Sequence, residues 1–83
     1  MLEFIENSNN DIELDGKVIV RGYSSSLDDF NRFAHELRNA SQQHRVASIW
    51  MLDGYIMDIE DFIQQEQYAV KSTLNTNHLM REG

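Results

Sequence analysis

Three imidazoles, His35, His44 and His78, are the only side chains of this sequence suited to proton transfer near neutral pH. His35 and His44 fall on one predicted helix, nine residues apart. That spacing turns them about 180° from each other, so they cannot share a metal ion from one face. His35 lies on the polar side with Asn31, Arg38 and Gln42 and is expected to be solvated. The chain has no cysteine, which removes thiolate zinc sites, cysteine nucleophiles and disulfides. Ser24, Ser25 and Ser26 have no base beside them and read as a linker and helix cap. Glycines 16, 22, 54 and 83 occupy turn or terminal positions, so there is no phosphate-cradling loop. Asp53, Asp58, Glu60 and Asp61 gather hard oxygen ligands, but their spacing is not that of a calcium loop. The expectation is no catalytic residue, no metal and no cofactor. An enzyme would need an acid–histidine pair assembled across the fold.

The carboxylates say more as a charge distribution. Residues 1–26 carry five acids and two bases, and residues 27–45 carry three of each. Residues 46–70 hold Asp53, Asp58, Glu60, Asp61 and Glu66 and no base. Five of the seven net negative charges therefore belong to one segment. Capping and solubility explain part of this, because acids are tolerated at a helix N-terminus. The functional expectation is an acidic surface aimed at a basic partner, which speeds encounter at low salt.

The whole composition bounds the classes. Eighty-three residues, 41% hydrophobic and 25% charged, make one small globular domain, 1–83. A net charge of −7 argues against direct nucleic-acid binding, which needs a basic face. No apolar run approaches the roughly 18–20 residues of a membrane span, and the N-terminus is no signal peptide. A cytoplasmic protein without membrane contact is expected.

The elements that must position these groups follow from periodicity and turn chemistry. Leu2 to Glu6 predicts a short strand, and Asn7 to Asp11 a polar turn. Asp15-Gly16 between apolar runs predicts a hairpin over Ile12 to Tyr23, which completes an N-terminal unit, 1–23. A three-residue loop there would gather Ile12, Val18 and Val20 on one face, and is preferred to a two-residue turn. Leu27, Phe30, Phe33, Ala34, Leu37 and Ala40 recur at helical spacing after Ser26, predicting a helix over 27–43. A second hairpin, 46–57, turns at Asp53-Gly54. Asp58 then caps a helix over 59–74, with Asn75-Thr76-Asn77 as its stop and 76–83 as a tail. The fold class is α+β: an antiparallel sheet of two hairpins plus an N-terminal strand, order β-ββ-α-ββ-α, with both helices on one face.

The second hairpin is too apolar for such a sheet. Ile49, Trp50, Met51, Tyr55, Ile56 and Met57 place large side chains on both of its faces. With a three-residue loop, Ile49, Met51, Tyr55 and Met57 share one face, and Trp50 and Ile56 the other; a two-residue turn instead groups Trp50, Leu52, Tyr55 and Met57. A second copy, the tail with Leu79 and Met80, or a different protein could cover the excess. The bland alternative is a central strand pair with one helix on each face. These features lead to a small acidic, non-enzymatic interaction module, a homodimer that docks on a basic protein surface. Inhibitors, antitoxins, immunity proteins and phage anti-defence proteins share this composition, in some cases mimicking nucleic-acid charge. A self-associating structural protein and a small-molecule binder using the groove between the helices are the alternatives.

Overall fold

A computed structural model describes the backbone of residues 3–82 and the side chains of residues 3–73. Five strands and two helices follow in the order β1 (Phe4–Glu6), β2 (Ile12–Leu14), β3 (Lys17–Val20), α1 (Leu27–His44), β4 (Ser48–Trp50), β5 (Ile56–Asp58) and α2 (Ile59–Glu82). The strands form one sheet in the order β3-β2-β1-β4-β5. The α+β class is as the sequence predicts. The arrangement corrects one detail: β1 pairs antiparallel with β2 but parallel with β4. Helix α1 supplies the long crossover that a parallel neighbour requires. It carries the chain from β3, at one edge, to the far side of β1. The N-terminal strand is therefore the centre of the sheet rather than an addition to it.

Both helices lie on one face. Phe4, Ile12, Leu14, Val20 and Ile49 point from the strands into the core. Phe30, Phe33 and Leu37 of α1 and Ile59, Phe62 and Ile63 of α2 meet them there. Rings bridge the helices, with Phe33 and Phe62 centroids 6.3 Å apart. The arrangement with one helix per face is thereby overturned, because β4–β5 lies at the end of the sheet and only one of its faces is covered.

The first hairpin corrects the preferred register. Leu14 pairs with Lys17 across a two-residue turn, with φ of 53° at Asp15 and 81° at Gly16. Positive φ at both positions matches the twist of the flanking strands. The register then shifts: Glu13 faces Val18, but Ile12 faces Val20. Ile19 is the extra residue of this bulge. It lets Ile12, Leu14 and Val20 all point inward and sends Val18 outward, the reverse of the expected placement.

The second hairpin keeps the three-residue loop. Gly54 N–H donates to the Met51 carbonyl at 3.0 Å and Met51 N–H to the Tyr55 carbonyl at 2.7 Å. Gly54 takes a φ of 90°, a region that favours glycine.

The expected cap of α1 is present: Ser26 Oγ accepts the Asp29 N–H at 3.1 Å. Asp29 returns the contact, accepting the Ser24 N–H at 2.6 Å. That hydrogen bond first, then Arg32, holds the Asp29 carboxyl below the usual carboxylate range. Arg32 also donates to the Gly22 carbonyl at 2.7 Å and the Arg21 carbonyl at 3.1 Å, tying the linker to the helix.

Two features of α2 differ from expectation. Among the described residues, Asp58 makes no capping hydrogen bond; it closes β5, and Ile59 N–H donates instead to the Ala47 carbonyl at 3.0 Å. The backbone helix also continues past Asn75-Thr76-Asn77 to Glu82. Asn and Thr cost a helix interior far less than proline, and no Gly or Pro intervenes before Gly83. The coverage expected from Leu79 and Met80, and the position of His78, lie outside the described side chains.

Candidate functional site

The uncovered face of the sheet carries an apolar row, broken at one strand by a carboxylate. Cross-strand pairs place Val18 beside Glu13, Glu13 beside Ile5, Ile5 beside Trp50 and Trp50 beside Ile56. All five positions thus share one face and run across all five strands. Val18 is 49% exposed, Ile5 49%, Trp50 41% and Ile56 50%. A soluble domain seldom leaves such a stripe open without a use for it. Glu13 interrupts the row, and Asn7 Nδ2 steadies its carboxylate from 2.7 Å. Ser48 and Asp58 form the next cross-strand pair on the same face. By this register the strand residues of the open face include Glu13 and Asp58 and no base.

The apolar hairpin is thereby divided. Ile49 is fully buried opposite Phe4, and Met51 and Met57 pack against the core, so these three serve the chain itself. Trp50 and Ile56 remain outside, as the three-residue loop predicts. Tyr55 stays paired with Met51 through the backbone, but its side chain stands in solvent just before β5 begins. Ile5 and Val18 are the residues that sequence reasoning missed. Asp15-Gly16 carried the signal for Val18, since a two-residue turn pairs Leu14 with Lys17.

The five predicted acids are not equivalent. Asp53 sits in the β4–β5 loop, where its Oδ1 accepts the Tyr55 N–H at 3.3 Å. Asp58 and Asp61 are exposed. Glu60 is engaged by Arg38, whose Nε and Nη2 donate to the two carboxylate oxygens at 2.9 and 3.0 Å. That contact holds the Glu60 carboxyl below its ordinary range. Glu66 is half-buried and accepts the Tyr23 hydroxyl at 2.6 Å. The tertiary structure therefore brings a base from α1 to a segment that has none, and leaves Asp53, Asp58 and Asp61 as its unpaired charges among the described residues.

Among the described residues no group of three or more His, Asp or Glu side chains could hold a metal ion. His35 is exposed, with Nε2 3.3 Å from Asn39 Nδ2. A cleft of about 390 Å³ opens between the end of α1 and the start of α2, walled by Arg38, Gln42, Asp58 and Glu60. Its arginine is already bound to its glutamate. A second, of about 270 Å³, lies beside Tyr23, Ser24 and Thr73. There the Thr73 hydroxyl is occupied by the Ala69 carbonyl. No helix among the described residues is long and apolar enough to cross a membrane. Comparison with known proteins finds no matching family model, no matching curated protein and no matching solved structure.

Proposed function

We propose that this chain is a non-enzymatic interaction module that works through the open face of its sheet, docking on a partner whose surface is basic and partly apolar. The uncovered Val18–Ile5–Trp50–Ile56 row, set among carboxylates, carries this reading. Among the functions open to such a module, an inhibitor of the antitoxin, immunity or phage anti-defence kind fits best. It would occupy a cationic site by offering acids around a hydrophobic centre. A second copy is the competing occupant. The apolar row favours it, since apolar surfaces are self-complementary. Charge opposes it, because two faces bearing Glu13 and Asp58 would meet on chains of net charge −7.

The chain has one tryptophan, so its fluorescence reports the proposed face directly. Titration with a short lysine–valine peptide of Lys-Thr-Val-Thr repeats, which sets lysine and valine two positions apart on one face of an extended strand, is expected to shift Trp50 emission saturably, with affinity falling as salt rises. The same peptide with glutamate in place of lysine is expected to do nothing. Sedimentation of the protein alone identifies the competing occupant: a stable dimer with Trp50 already shielded would replace the basic partner. A Trp50 signal indifferent to the cationic peptide in a monomeric chain would end the reading.

A further inference from the structure

We infer that the free edge of β5 takes an extended basic segment of the partner as an added strand. This rests on the reading above and specifies the mode of docking. Strand β5 is the outermost strand at its end of the sheet. In an antiparallel ladder, hydrogen-bonded and non-bonded pairs alternate. Met51 N–H bonds the Tyr55 carbonyl, so Met51–Tyr55 is a bonded pair and Ile49–Met57 is the next. Trp50–Ile56 and Ser48–Asp58 are the non-bonded pairs between and beyond them. The backbone groups of Ile56 and the N–H of Asp58 therefore point away from β4. No loop or side-chain hydrogen bond among the described residues satisfies them. Such groups are a template for another strand.

The opposite edge is blunted in ways that β5 is not. Strand β3 begins with Lys17 and carries the bulge at Ile19. Arg32 covers the Arg21 and Gly22 carbonyls just beyond its end. Bulges and lysines at an edge are devices that deter strand addition.

The chemistry of the occupant follows from the side chains that flank the edge. Asp53 precedes β5, Asp58 closes it and Asp61 follows, all exposed, while Arg38, which lines a cleft with Asp58, is committed to Glu60. A second copy pairing antiparallel about Met57 would set each Ile56 against the other chain's Asp58. It would also bring all these acids together, with no base in residues 46–70 to relieve them. A foreign strand with a lysine or arginine opposite Asp58 and an apolar residue two positions away, opposite Ile56, satisfies both. Its apolar side chain would lengthen the Val18–Ile5–Trp50–Ile56 row on the same face. The edge is only three residues long, so its hydrogen bonds are few and the charge pairing must contribute much of the affinity.

The test uses the full chain and the lysine–valine peptide, with amide exchange followed by NMR. Bound peptide is expected to slow exchange at the Ile56 and Asp58 amides about tenfold or more. The same peptide carrying N-methyl groups on the amides that face β5 is expected to bind about tenfold more weakly, as loss of a hydrogen bond implies. Unchanged exchange, or equal binding by the N-methylated peptide, overturns strand addition. If the Trp50 shift persists in that case, docking on the open face survives without it; absence of any Trp50 response removes both.

Discussion

Replacing Tyr23 with phenylalanine deletes one oxygen and one contact that joins the two halves of the molecule. The Tyr23 ring stands edge-on to Phe30, 5.0 Å between centroids at 82°, and lies 4.9 Å from Phe33. Its hydroxyl reaches from the β3–α1 linker to the middle of α2 and donates to Glu66 at 2.6 Å. Tyr23→Phe keeps the ring and its packing. What disappears is a hydrogen bond to a carboxylate, of the kind that contributes about 1.5–3 kcal/mol. Glu66 is half-buried, so water recovers part of that, and a net loss of about 1–2 kcal/mol is expected. In a domain of this size each kcal/mol moves the melting temperature by about 4–8 °C, which gives a fall of roughly 5–15 °C at neutral pH.

The pH dependence provides a second signature. Burial first, then the hydrogen bond to Glu66, then the charges of Glu66 and Glu6, push the Tyr23 hydroxyl well above its ordinary range. A group whose pKa rises on folding stabilises the fold fully below its unfolded value, near 10 for tyrosine, and loses that contribution as pH climbs through the folded value. The native chain should therefore lose melting temperature above about pH 10, and Tyr23→Phe should lack this component of the loss. Thermal melts followed by circular dichroism across neutral and alkaline pH measure both effects. Near-identical melting at neutral pH together with identical alkaline limbs would refute the assignment of Tyr23–Glu66 as a stabilising contact.

Gly22→Ala is expected to destabilise by about 1–3 kcal/mol in urea unfolding, as overpacking does. Its Cβ would stand 2.7 Å from the Asn10 carbonyl oxygen and 3.1 Å from that of Asn9, both backbone atoms, beside the Gly22 N–H bond to Asp11. Trp50 is exposed, and Trp50→Glu should leave the unfolding free energy measured in urea within about 0.5 kcal/mol of the native chain. Calorimetry should show that it no longer binds the lysine–valine peptide. Asp58→Asn and Asp61→Asn should slow association of that peptide in stopped-flow mixing more than Glu60→Gln does, because Arg38 already neutralises Glu60. Equal effects from all three would mean that the Arg38–Glu60 pair does not persist in solution.

Much of the architecture was legible in local chemistry. Ser26 and Asp29 mark the start of α1, the Phe30–Phe33–Leu37 spacing marks its buried side, and Asp53-Gly54 marks the second hairpin loop. The excess of the Trp50–Met57 ribbon was legible too, because either turn length leaves large side chains on both of its faces; the three-residue loop of the structure is what sets Trp50 and Ile56 on one face and Ile49 and Met57 on the other. The first hairpin was misread because a three-residue loop was the only unbulged way to turn Val20 inward with Ile12; the structure keeps the two-residue Asp15-Gly16 turn and reaches the same end for Val20 through a bulge at Ile19, which has no marker in the chain. A one-residue shift of register exchanges the faces, so Val18 changed sides.

Sequence by itself therefore determined the α+β class, the helix that Ser26 caps, the acidity of residues 46–70 and an apolar surplus in the second hairpin. Only the tertiary structure decided that β1 lies between the hairpins, that Ile5 and Val18 join Trp50 and Ile56 in one row, and that Arg38 meets Glu60. Strand order and charge pairing are relations between residues far apart in the chain. Periodicity and turn chemistry report only on neighbours, and what brings the distant groups together is the burial of both helices against one side of the sheet.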